Sequence, residues 1–232
     1  MRWPSIIKTL WGLPLVAALL FSGGESYAQP AFAIGRIHYS GGGDWYSDPS
    51  SLVNLQKYAS ETLGIPVARR EKNVRLTDDD LYQYPYLYMT GHGTIRLSEE
   101  EAVRLREYLL AGGFLHADDN YGMDESFRRT MKQVFPDREL VELPFDHPVY
   151  HTRFDFPWGL PKIHEHDGKP AQGFAIVVDE RVVVFYSYEC DLGDGWEDQP
   201  VHDVPEEKRQ AALKMGVNLI AYALSGKPVT LP

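Results

Sequence analysis

Three short motifs place acid–base and ligand-type side chains directly after β-type runs: Gly43-Asp44-Trp45, Gly91-His92-Gly93 and Asp118-Asp119-Asn120. Ligands of open α/β sheets bind where the carboxyl ends of parallel strands deliver their loops, so these three positions define the candidate site. Glycines on either side of His92 let the backbone approach a ligand closely. Of the adjacent Asp118 and Asp119, one is expected to face the site while the other caps the next helix or holds a loop, and two desolvated carboxylates raise each other's pKa. His147 and His151 add imidazoles, but Pro148 disfavours helix at His147, so their spacing is not the zinc-protease helix motif. Joining His92 or Asp119 to His147 would give mixed nitrogen and oxygen ligands suited to a divalent metal, zinc included. The same trio could serve a metal-assisted or carboxylate-based hydrolase, with Asp44 or Asp191 in support.

Other groups are read against plainer alternatives. His164-Glu165-His166-Asp167-Gly168 is the densest ligand-type cluster, yet Asp-Gly marks a turn and the expectation is a solvated loop. The acids of Asp191-Leu192-Gly193-Asp194-Gly195-Trp196-Glu197 lack the ordered oxygen ligands of an EF-hand, which favours a turn that carries Trp196 into an apolar contact. Trp45, Tyr46, Trp158 and Trp196 could stack on a sugar or simply pack loops. Gly41-Gly42-Gly43 could cradle an anion or make a turn. No phosphate loop, nucleophile elbow or dinucleotide fingerprint occurs.

The elements that must position these residues read as alternating strands and helices. Ala33 to Tyr39, Tyr86 to Thr90 and Phe114 to Ala117 are β-type. Helices are expected through Leu52 to Leu63, from a Ser98/Glu101 capping box to Gly112-Gly113, over Met123 to Phe135, and from Glu206 to Leu224 before Gly226 and Pro228. Pro136 to about Gln172 reads as an elaborated loop, and Phe174 to Val178 with Val182 to Ser187 as a hairpin across Asp179-Glu180-Arg181. The alternation predicts an α/β sandwich around a mainly parallel sheet.

Composition bounds the function. In 232 residues, 44% hydrophobic and 24% charged, 33 Asp and Glu outweigh 23 Lys and Arg for a net charge of −10, which argues against a nucleic-acid partner. The single cysteine, Cys190, allows no internal disulfide. Arg2 and Lys8, the apolar Leu10 to Phe21 and Ser26-Tyr27-Ala28 read as a signal peptide over residues 1–28, leaving 29–232 as one exported, periplasmic or extracellular domain. The apolar run is too short for a stable membrane span once the leader is cleaved, an uncleaved anchor being the lesser alternative.

In order along the chain, Gly42-Gly43-Asp44-Trp45-Tyr46, Tyr84 to Gly93, Gly112-Gly113-Phe114-Leu115 with Asp118-Asp119, Asp146-His147-Pro148 and Asp191 to Glu197 resemble a bacterial family known as domain of unknown function 4159. That resemblance implies a flavodoxin-like three-layer sandwich similar to class I glutamine amidotransferases and trehalose-utilisation proteins, and no established activity. Where such proteins present a nucleophilic cysteine, this chain has Asp118 and Asp119, which disfavours thioester chemistry. Two functions follow as expectations. One is an exported domain that lost the thiol and binds a small molecule, glycan or envelope partner in the cleft, through Gly43, Asp44, Trp45, Gly91, Gly93, Asp118, Asn120 and Asp191. The other is the hydrolase built on Asp119, His92 and His147, with a divalent metal as its possible cofactor.

Overall fold

Strands whose successive residues are apolar on both sides require cover on both faces of a sheet, and that requirement shapes this fold. The computed structural model describes residues 31–226. The expected signal peptide and Pro228 lie outside the described residues. Chain order is β1 (Ile34–Ile37), α1 (Ser51–Leu63), β2 (Lys72–Val74), β3 (Tyr86–Met89), α2 (Glu99–Leu110), β4 (Phe114–Asp118), α3 (Asp124–Val134), β5 (Val141–Glu142), β6 (Gln172–Val178), β7 (Arg181–Tyr188), α4 (Leu192–Trp196), α5 (Gln199–His202) and α6 (Glu206–Ser225). All strands join one seven-stranded sheet in the order β2-β1-β3-β4-β7-β6-β5. Only β6 runs against the rest, pairing antiparallel with β7 and β5. The leading order 2-1-3-4 is that of doubly wound, flavodoxin-like sheets, so the three-layer α/β expectation holds.

Side chains of β3 and β4 alternate between two cores. Tyr86, Tyr88 and Phe114 pack with Leu52 and Leu55 of α1 and with α6 residues such as Leu219 and Ile220. Leu87, Met89, Leu115 and Ala117 pack with Leu105 and Leu109 of α2 and Phe127 and Met131 of α3. Each such side chain, fully buried, contributes about 1.5–3 kcal/mol. The tyrosines on a buried face also need partners for their hydroxyls. Tyr86 meets His116 Nδ1 at 2.9 Å and Tyr88 donates to Asp118 Oδ2 at 3.2 Å. His116 Nε2 lies 2.8 Å from Ser187 Oγ, which in turn donates to Asp118 Oδ1 at 2.5 Å. A chain of buried polar groups therefore runs through the sheet from Tyr86 to the carboxyl end of β4.

Local signals explain most boundaries. The Ser98/Glu101 capping box forms in full at the start of α2. In the β6–β7 turn both Asp179 and Glu180 are left-handed, the geometry that a two-residue hairpin demands. The elements not expected from the sequence are the short strands β2 and β5 and the short helices α4 and α5, which follow β7 and close over the carboxyl end of the sheet. Trp196 at the end of α4 is fully buried and donates to Ala212 O at 2.8 Å, as its expected apolar contact requires. Among the described residues no helix is long and apolar enough to cross a membrane.

Candidate functional site

Two separate constellations occupy the carboxyl ends of the parallel strands. In the first, the glycine loops after β1 and β3 bind each other. Gly43 N donates to Thr94 O at 3.1 Å and Asp44 N to His92 O at 3.3 Å. Asp44 accepts from the His92 amide and lies 3.1 Å from its Nδ1. A side chain at Gly91, where φ is 137°, would meet the Tyr39 hydroxyl and the Asp44 main chain, so this glycine is needed for loop-to-loop approach. Gly93 N faces Tyr121 O at 3.4 Å, and Trp45 stacks on His38 with ring centroids 4.1 Å apart. The backbone groups expected to face a ligand at Gly43 and Gly93 are thus used between loops, and the Asp44–His92 pair latches them at an exposed edge.

The second constellation is built around Asp118, Asp119, Asn120 and Asp191. Asp118 is the structural partner of the acidic pair: wholly buried, it accepts from the amides of Leu192 at 3.2 Å and Gly193 at 2.6 Å and so pins the start of α4. Burial and the Asp191 charge push its pKa up, against the Ser187 hydroxyl and these two amides. Asp119 turns towards the cleft and accepts from Glu189 N at 3.0 Å through Oδ2. Asn120, oriented with its amide nitrogen towards Asp191, donates to both carboxylate oxygens at 2.8 Å.

Onto this frame folds the loop that the sequence marks as solvated. Cys190 O accepts from Ile163 N at 2.9 Å, and the Glu189 carboxylate accepts from Asp167 N at 3.1 Å and Lys162 Nζ at 3.1 Å. Held on both sides, the loop drives His164 and His166 into the acids. His166 Nε2 lies 3.2 Å from Asp191 Oδ2 and its Nδ1 3.9 Å from Asp119 Oδ2. His164 Nδ1 lies 2.9 Å from Asp194 Oδ2 and 3.7 Å from Asp191 Oδ2. On α5, His202 Nε2 lies 3.1 Å from Asp194 Oδ1. The His166 side chain is only 7% exposed and its Nδ1 has no hydrogen-bond partner. The expectation of a solvated loop holds for His164, Glu165, Asp167 and Gly168, which are exposed, and is corrected for His166 alone, whose side chain the loop's anchorage on Glu189 and the Cys190 carbonyl turns inward.

The trio His92, Asp119 and His147 does not assemble. His147 caps a short 3-10 turn over Pro148–Tyr150 and accepts from Val149 N at 3.2 Å. Its ring sits 6.0 Å from that of Tyr222, whose hydroxyl accepts from Val182 N near the start of β7. Asp119 follows β4 at the level of Ser187, near the end of β7. Five strand steps, about 17 Å, separate those levels. His92 is engaged with Asp44 instead.

Electrostatics set the acid–imidazole cluster apart. The Asp119 and Asp191 carboxylates push His166 up to about 10, and Asp191 helps raise His164. Burial acts against the Asp191 charge, but the two imidazoles hold its pKa below the usual range. Burial and the Asp191 charge push Asp194 to about 6. Asp48 is pushed to about 7 by burial and by Asp191, Asp194 and Glu197. Backbone strain gathers here too: Asp48, Glu189, Asp191 and Asp203 all adopt left-handed conformations uncommon for residues with a side chain. The ligand atoms of His164, His166 and Asp191 lie within 4.8 Å of one another. The two histidine–Asp191 separations, 3.7 and 3.2 Å, lie either side of the edge of about 3.4 Å in a tetrahedron of 2.0–2.1 Å bonds.

A cleft of about 320 Å³ opens beside the cluster, with Asp119, His166 and Glu189 on its floor and Tyr121, Tyr188 and Lys169 around it. Cys190 is buried in the core and its thiol is pushed well above the usual range by burial, so it presents no nucleophile. No curated protein matches the chain. Residues 33–224, most of the chain, match the family described as a domain of unknown function (DUF4159), and the chain belongs to that family.

Proposed function

We propose that this protein is a divalent-metal-dependent hydrolase, exported by its leader, that acts in the cleft beside His166. The carrying observation is the convergence of His164, His166 and Asp191, the buried His166 imidazole presenting Nε2 to Asp191 Oδ2 at 3.2 Å and His164 Nδ1 lying 3.7 Å from the same oxygen. Two imidazoles and a carboxylate suit zinc, manganese or another first-row ion, and such an ion would supply Lewis acidity and a more acidic water. Asp191 is steadied by the Asn120 amide, the outer support that metal-site ligands commonly have. Asp119 lines the cleft and accepts from Glu189 N through Oδ2, which places its carboxylate to take a proton from water.

Asp124, Glu125, Asp167 and Glu189 line the same cleft against a single Lys169. That charge balance favours a neutral or cationic substrate, such as an amide, ester or glycoside, over a polyanion. The test is turnover of p-nitroanilide, p-nitrophenyl ester and p-nitrophenyl glycoside substrates by protein loaded with zinc or manganese. Asp119→Asn should keep the ion and lose about 10²-fold or more in turnover, whereas His166→Ala should lose both. If His166→Ala retained the ion as wild type does, the proposed centre would be wrong. If the loaded protein turned over none of these substrates, the hydrolase reading would give way to a non-enzymatic cleft that binds a ligand or an envelope partner.

A further inference from the structure

Asp194 has its two carboxylate oxygens directed at different imidazoles, Oδ2 at His164 Nδ1 (2.9 Å) and Oδ1 at His202 Nε2 (3.1 Å). Beyond His202 lies Asp48, whose side chain is 6% exposed and whose Oδ1 is 3.9 Å from the same His202 nitrogen. That oxygen accepts no hydrogen bond among the described residues. Among the described residues the one hydrogen-bond donor to the carboxylate is the Ser47 hydroxyl, on Oδ2 at 3.4 Å. Arg36, the nearest guanidinium, is spent on the main-chain carbonyls of Ser47 at 2.5 Å and Asp48 at 3.1 Å. Burying a carboxylate without donors is costly unless it is paired or ligates a cation. A side chain at Gly193 would come within 2.9 Å of Asp48 Oδ2, so the glycine keeps the space between Asp48 and α4 clear.

We propose that Asp48, Asp194 and His202 form a second divalent-cation site and that Asp194 bridges it to the first. This inference rests on the metal-dependent reading of His164, His166 and Asp191 and turns that centre into a two-ion site. The ligand atoms of the three residues lie within 4.8 Å of one another. One imidazole and two carboxylates are a harder set than the first centre offers, suited to manganese or zinc. Two ions joined by a carboxylate clamp the attacking and leaving oxygens of a hydrolytic displacement from both sides. The second site therefore adds a role that a single ion at His166 does not fill.

Native mass spectrometry of the purified protein titrated with Zn²⁺, and separately with Mn²⁺, reads the stoichiometry directly. Wild type should bind two ions. His202→Ala, on a short surface helix, and Asp48→Asn should each bind one ion normally and weaken the other by about tenfold or more. Asp194→Asn should weaken both. A wild type that binds one ion, lost in His166→Ala and kept in His202→Ala and Asp48→Asn, would overturn the second site and leave the first standing. A wild type that binds neither metal would overturn both.

Discussion

Replacing Asp118 by asparagine probes the anchor beneath the site. Oδ1 takes the Ser187 hydroxyl at 2.5 Å and the Leu192 amide at 3.2 Å, while Oδ2 takes the Gly193 amide at 2.6 Å and the Tyr88 hydroxyl at 3.2 Å. Asparagine keeps the shape and one acceptor oxygen, so its NH₂ must face one of these two pairs. A hydroxyl can turn and accept; Ser187 has Ala117 O at 3.2 Å to receive its proton instead. A backbone N–H cannot turn. The cheaper orientation keeps the short Gly193 bond and orphans the Leu192 amide. Leaving one buried amide unsatisfied costs about 1–3 kcal/mol, so Asp118→Asn should destabilise by about 2 kcal/mol. Asp118→Ala, which orphans both amides and leaves a void, should cost roughly twice as much. With a urea m-value of about 2 kcal/mol/M, the asparagine variant's midpoint falls by about 1 M. Because the freed amides begin α4, affinity for zinc should fall in parallel. An asparagine variant with the wild-type midpoint would refute the reasoning, since Asp118 would then be a neutral acid whose own hydroxyl already faces one of the amides.

Other perturbations report on the frame. A side chain at Gly216 in α6 would lie 2.5 Å from Leu55 Cδ1 and 3.0 Å from the Trp196 ring. Gly216→Ala should therefore lower the thermal midpoint, at a cost of about 1–3 kcal/mol, although alanine is the better helix former by about 1 kcal/mol. Burial depresses His147 to about 4 and His116 to about 3, from 6.5 in the unfolded chain. Below pH 6.5 the unfolded chain binds more protons than the folded one, so this contribution is present in full above pH 6.5 and is lost as pH falls towards those values. His147→Asn keeps a capping side chain and removes one titration; urea midpoints at pH 7 and 4.5 should show about 2–3 kcal/mol less acid destabilisation than wild type.

Legibility in the sequence followed the range of the interactions involved. Elements set by neighbours a few residues apart were readable: the Ser98/Glu101 capping box, the helix stop at Gly112-Gly113 and the Asp179-Glu180 turn all formed. So was the division of labour between Asp118 and Asp119, because adjacent carboxylates at a strand end cannot share one direction. The strands β2 and β5 are two or three residues long with exposed positions, too short to show a period. The helix α4 contains two glycines in five residues and depends on a carboxylate some 75 positions earlier. His164 and His166 were visible as a cluster. The inward turn of His166 and the approach of His164 to the acids depend on Glu189 and Cys190 O, which lie beyond the reach of local patterning. His147 does not join Asp119 because Pro148 starts a turn that packs it against α6, towards the other end of the sheet.

Whether His164, His166 and Asp191 share one divalent ion is read from anomalous diffraction of crystals grown with Zn²⁺. A shared ion gives a peak at the zinc edge about 2.0–2.1 Å from a ring nitrogen of each histidine and about 2.0–2.2 Å from an Asp191 oxygen. An ordered His166 with no such peak, its ring held only by the Asp119 and Asp191 carboxylates, would contradict it.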